Sequence, residues 1–172
     1  MTNNANQLLG RPADARLLIV NADDFGMCHA INDAVLTAFA EGIVKSTSLM
    51  TPCPWAQHAF GLLKARPELP FGVHLTLVAE FPGYRWSPIS SKRDVPSLID
   101  ECGHFFSLER TPELLARARL AEVEREFRAQ IDAVLAEGLA PTHLDFHCLA
   151  DGGRPDIFDL TVRLAREHGL AL

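Results

Sequence analysis

The chain has 172 residues, 48% hydrophobic and 22% charged, a composition that supports one buried core and excludes a disordered or fibrous chain. Sixteen Lys and Arg against 22 Asp and Glu leave a formal charge of −6, so a basic nucleic-acid footprint is absent and nucleic acid is not an expected partner. No apolar run approaches the ~20 residues that span a bilayer, which removes the membrane as well.

Residues 1–15 read as a polar leader without the order of a signal peptide, and a cytoplasmic location is the default expectation. Arg16–Asn21 is a short apolar run that predicts a buried strand, broken by Asp23-Asp24-Phe25-Gly26. Ile31, Val35, Leu36 and Phe39 recur at helical spacing from His29 to Glu41, and Gly42 stops that helix. Val44–Met50 predicts a second strand, Trp55–Ala65 a second helix, and Phe71–Val78 a third strand. About 80–110 is an irregular insertion punctuated by Pro and Gly, of a length that is usually functional or flexible. Thr111-Pro112-Glu113 reads as a helix start, with Thr111 as N-cap, and that helix runs to Glu137. Thr142–His147 is the fourth strand, Pro155–His168 the fourth helix, and Leu170-Ala171-Leu172 begins a further apolar element.

Four strand–helix units in succession predict an α/β fold with a parallel sheet, as in a (β/α) barrel or a doubly wound sheet. Four units are half of an eight-unit barrel, so a barrel truncated at its C-terminus is the expectation. The four cysteines, Cys28, Cys53, Cys102 and Cys148, have no Cys-x-x-Cys spacing and read as small packed hydrophobes.

Ligands of parallel α/β folds gather at the carboxyl ends of strands. Three predicted strand ends carry metal-type side chains: Asp23 and Asp24, then His74, then His143, Asp145 and His147 at period two on one face. Such a set is an oxygen/nitrogen site for a hard or borderline divalent ion. Neighbouring aspartates point apart in extended chain, so one can ligate while the other reaches a water as general base. The chemistry that follows is metal-assisted hydrolysis. No Gly-rich phosphate loop and no Gly-x-Ser-x-Gly elbow is present.

Leu17–Gly26 (LLIVNADDFG), Gly72-Val73-His74 and Pro141–His147 (PTHLDFH) resemble the YdjC/ChbG-like carbohydrate deacetylase family, which includes a hopanoid-associated deacetylase branch. Asn32, Gly42 and Ser46-Thr47-Ser48 agree with it, and the resemblance spans about 16–172. It implies a distorted barrel, one divalent metal (Mg²⁺ or Zn²⁺), and hydrolysis of an N-acetyl group from an amino sugar or short oligosaccharide. It makes Asp24, His74 and His147 the metal ligands and Asp23 the general base. His143 and Asp145 become substrate contacts or supports of the ligands. A small carbohydrate substrate and a homodimer are the partners it implies. Relatives continue the last motif with further histidines, whereas this chain has Cys148–Arg154, where Asp151 or Arg154 could stand in.

Other residues admit two readings. His29 contacts substrate or ends a helix at the surface; Tyr84 and Trp86 form a sugar-facing rim or pack the insertion. Cys148, on a strand, faces away from His147 as a packed thiol. His104 with Phe105-Phe106 anchors the insertion, His58 and His168 are surface residues, and Glu122–Arg128 is a solvated helix face. The competing functions are hydrolysis of another amide, ester or phosphoester, or a catalytically incomplete metal-binding fragment.

Overall fold

The computed structural model describes residues 5–172, so Met1–Asn4 of the expected leader lie outside the described residues. The rest of the leader holds a single helical turn, α1 (Ala5–Leu8), and Asn6 Nδ2 donates to the carbonyls of Ala13 and Ala15.

Four parallel strands, β1 (Asn21–Phe25), β2 (Ser46–Leu49), β3 (Phe71–Leu75) and β4 (His143–Phe146), pair in chain order. A doubly wound sheet reverses its strand order, whereas successive strands of a (β/α) barrel do not. The unreversed order therefore fits the barrel-like alternative. Helices α2 (His29–Glu41) and α3 (Ala56–Ala65) return β1 to β2 and β2 to β3. Helices α4 (Thr111–Arg117) and α5 (Leu120–Ala136) precede β4, and α6 (Pro155–His168) follows it. The apolar tail makes one parallel bridge, Ala171 to His143, with Leu144 N donating to Ala171 O at 2.9 Å.

Three expectations are corrected. The first strand begins at Asn21 rather than ending there, and Leu17, Leu18 and Ile19 are exposed. The ladder starts only where β2 supplies a partner, at Asn21 opposite Ser46, so Asp23 and Asp24 lie inside the strand. Second, the residue before α4 is Arg110, not Thr111, whose hydroxyl donates to Leu108 O at 2.7 Å. Third, the single helix 111–137 is two. Ala118 and Arg119 leave helical geometry (ψ 119° and 127°) with no Pro or Gly between them. The break is held from outside: Ser97 Oγ accepts the Arg119 amide at 3.0 Å, and Arg154 Nη1 donates to Leu115 O and Ala118 O at 2.7 and 2.8 Å. The remaining nitrogens of Arg154 pair with Asp156 at 2.8 and 2.7 Å.

The core lies between sheet and helices, with Phe25, Leu49, Leu75, Phe127, Ile131 and Leu164 all buried. The insertion is anchored by Phe105 and Phe106, fully buried as expected. The acidic run of α5 is not simply a solvated face, because Glu122 and Glu126 are buried. Glu126 accepts the amides of Ile89 and Ser90 at 3.0 and 2.9 Å and the Gln130 amide group at 2.8 Å. Glu122 accepts Ser97 N at 2.7 Å and Ser97 Oγ at 2.6 Å, while pairing with Arg119. Gln130 in turn holds both backbone groups of Thr76, just beyond β3 (2.9 and 2.8 Å). A buried carboxylate that satisfies backbone amides is costly to remove, because the donors stay buried. No helix among the described residues is long and apolar enough to cross a membrane.

Replacing Glu126 by Ala should destabilise the chain by about 3 kcal/mol. Chemical denaturation measures this, and hydrogen exchange should accelerate first at the Ile89 and Ser90 amides. Unchanged exchange at both would show that the carboxylate does not hold the insertion.

Candidate active site

The pairing of β1 with β2 slips by one residue between Ala22 and Phe25, and at that bulge Asp24 adopts φ 62°. Left-handed geometry costs a non-glycine residue roughly 1–2 kcal/mol, and bulges re-aim side chains at strand ends. Here the bulge turns the Asp24 carboxylate toward the ends of β3 and β4. The turn is fastened beyond it. Met27 N donates to Asp24 O at 3.0 Å, and the buried Asn32 side chain accepts Gly26 N at 2.6 Å. Gly26 stands at φ +96° with Ala56 and Met50 backbone against it, so no side chain fits there without displacement.

Asp24 Oδ1 lies 3.1 Å from His147 Nδ1 and 3.4 Å from His74 Nε2. One ligand atom from each of the three side chains falls within 4.8 Å of the others, and both imidazoles are buried. His74 is fixed on its other nitrogen by Asp145 Oδ1 at 2.7 Å and by Ser48 Oγ at 3.3 Å. Ser48 Oγ also accepts from Asn21 Nδ2 at 3.1 Å. Burial opposes a charge on His74, but hydrogen bonds to Asp145 and Asp24 prevail and push its pKa up to about 9. Burial likewise disfavours the Asp24 charge, yet its bonds to His147 and His74 hold it well below the usual carboxylate range.

Asp23, the residue before, is exposed. With burial, Glu80 and Asp24, its charge pushes the Cys148 thiol up. Asp145 stands beside His74 in the register of β3 and β4. His143 lies two residues earlier on β4, its ring over Gly72 and its Nδ1 2.9 Å from Thr142 Oγ1. It is outside the Asp24–His74–His147 cluster. His29 starts α2, pairs with Asp33 at 3.1 Å, and stacks on His58 with ring centroids 5.1 Å apart. His58 is half-buried rather than a plain surface residue, its Nδ1 3.0 Å from Asn32 Nδ2. Trp86 is buried, packs edge-on to His147 at 6.0 Å, and donates from Nε1 to Val78 O at 3.0 Å. Of its two readings, packing is the one its position allows. Tyr84 is half-buried and spans Trp86 to the β1 turn, donating from its hydroxyl to Met27 O at 2.6 Å.

Cys148 is corrected. β4 ends at Phe146, so strand alternation no longer applies, and φ 57° at Cys148 turns the thiol back. Its Sγ lies 3.4 Å from His147 Nε2 and 3.2 Å from Glu80 Oε2. Glu80 Oε2 is itself 3.2 Å from His147 Nε2. Glu80 carried no sequence signal, because it sits where periodicity has already lapsed. A cleft of about 480 Å³ lies at the opposite end of the strands against Leu69, Phe71 and Leu139, away from these groups.

Residues 17–172 match the family described as YdjC-like protein. A carbohydrate deacetylase of Geobacillus stearothermophilus is 39% identical over 91% of this chain and 59% of its own. A chitooligosaccharide deacetylase of Yersinia enterocolitica is 35% identical over 91% of this chain and 58% of its own. The crystal structure of a candidate cellobiose-phosphate cleavage protein of Enterococcus faecalis V583 superposes with a TM-score of 0.80 at 33% identity. It is matched over 88% of this chain and 56% of that one. The chain thus spans somewhat over half the length of these relatives.

His74 in the metal-free chain should titrate at about 9, against an ordinary value of 6.5. A raised cationic group contributes stability that is complete below pH 6.5 and lost as pH climbs through about 9. Ring-proton NMR and denaturation across that range measure both. Asp145→Asn should lower the midpoint; a midpoint at or below 6.5 in the native sequence would contradict the arrangement.

Proposed function

The chain belongs to the YdjC-like family, and from that membership and its site geometry we propose a metal-dependent hydrolase that removes an N-acetyl group from an amino sugar or short oligosaccharide. The observation that carries the reading is the convergence of Asp24, His74 and His147, from three strand ends, on one buried point. One carboxylate and two imidazoles suit Zn²⁺ well and Mg²⁺ acceptably, so the residues present fit a single divalent ion. A cation held there supplies Lewis acidity toward the amide carbonyl and toward water.

The chain's own residues supply the rest of the proposed chemistry. Asp23, exposed beside the cluster, takes the proton from the attacking water as general base. Asp145 fixes the ring of His74 so that Nε2 faces the site, the support that metal-ligating imidazoles generally need. Trp86 walls His147 and keeps bulk water from its ring. The sugar class follows from the relatives named carbohydrate and chitooligosaccharide deacetylases.

The metal-loaded chain should release acetate from N,N′-diacetylchitobiose, and a chelator should abolish this until Mg²⁺ or Zn²⁺ is restored. Asp23→Asn should lower kcat by roughly 10²- to 10⁴-fold while divalent-ion affinity by calorimetry stays within about threefold. Full activity of that variant would remove Asp23 as the base. Preference for an acetyl ester or a phosphoester over the acetamido sugar would overturn the substrate class.

A further inference from the structure

His147 faces two sets of donors at once. Its Nδ1 is turned to Asp24 and its Nε2 to Glu80, while the Cys148 Sγ lies against the ring, 3.4 Å from Nε2 and 3.8 Å from Nδ1. The three distances within the second set are 3.2 Å (Glu80 Oε2 to His147 Nε2), 3.2 Å (Cys148 Sγ to Glu80 Oε2) and 3.4 Å (Cys148 Sγ to His147 Nε2). A tetrahedral zinc site with nitrogen and oxygen bonds of 2.0–2.2 Å and sulfur bonds near 2.3 Å has edges of roughly 3.3–3.7 Å. The three ligand atoms therefore lie near enough for one ion to gather them, the exposed Cys148 thiol swinging from the ring edge into line with Nε2. Thiolate, imidazole and carboxylate together select a thiophilic ion and disfavour Mg²⁺. Cys148 also holds a left-handed backbone that an extended residue would not need, and this turn aims its thiol at the other two groups.

We propose that Glu80, His147 and Cys148 form a second cation site, selective for a thiophilic divalent ion such as Zn²⁺ or Cd²⁺, next to the Asp24–His74–His147 site and sharing His147 with it. A neutral imidazole has one free lone pair, so it ligates one ion at a time. Filling the second site through Nε2 leaves Nδ1 carrying the proton and unable to ligate beside Asp24. Excess thiophilic ion thus competes with the first site for His147, whereas Mg²⁺ does not enter the second.

The test is a Cd²⁺ titration of the metal-free chain, followed by the ultraviolet sulfur-to-cadmium charge-transfer band, with retention of fold checked by circular dichroism. The native sequence should develop the band fully by two equivalents, whichever site the first ion enters. Cys148→Ser should lose it although Cys28, Cys53 and Cys102 remain, and Glu80→Gln should weaken Cd²⁺ affinity about tenfold or more. Asp24→Asn should keep the band, which separates this site from the proposed hydrolytic one. An equal band in Cys148→Ser, or loss of the band in Asp24→Asn, would overturn the second site. Failure of acetate release with the band intact would bear on the hydrolase reading alone.

Discussion

The contact between the Asp24 carboxylate and two buried imidazoles is the interaction on which the rest of the site depends. It needs a backbone that an aspartate adopts at a cost, since Asp24 stands at φ 62° in a one-residue bulge. Without the bulge, strand alternation would send Asp24 and the ends of β3 and β4 to different faces. The fold supports the strained turn from behind with Asn32, and the close backbone at Gly26 leaves it little room to relax. The charges then favour the arrangement, because anionic Asp24 lies beside His74, whose proton is retained between Asp24 and Asp145.

A second layer holds the insertion against this centre. Glu122, Glu126 and Gln130 project from one face of α5, and each spends its polar atoms on loop backbone or side chains rather than on solvent. That anchoring carries Trp86, backed by Tyr84, to the ring of His147 and brings Glu80 within reach of its Nε2. The irregular segment is therefore part of the site's wall, built by buried carboxylates that accept amide protons.

Much of this was legible in the chain. Helices α2 and α6 fall on their expected bounds, because Gly42, Pro155 and Gly169 punctuate them and tertiary contacts do not override the signal. The parallel sheet follows from strand ends read in order, and so do six candidate ligands; the choice of Asp24, His74 and His147 among them comes from the family resemblance, and those three side chains lie together. What was hidden depends on partners remote in sequence. Leu17–Ile19 look like a strand, yet no ladder partner begins until Ser46. The helix break at Ala118 is imposed by Ser97 and Arg154, and nothing local marks it. Glu126 has the charge of a surface residue, and only the loop amides above it explain its burial. Cys148 turns opposite to the direction that alternation predicts, because the strand ends two residues before it.

The account turns on one shared point in space, and anomalous diffraction from crystals of the chain grown with Mn²⁺ or Zn²⁺ tests it most directly. The account predicts a peak at about 2.0–2.3 Å from an oxygen of Asp24 and a nitrogen each of His74 and His147. A peak that lacks any one of those three side chains, or no peak beside Asp24 at saturating metal, would contradict it.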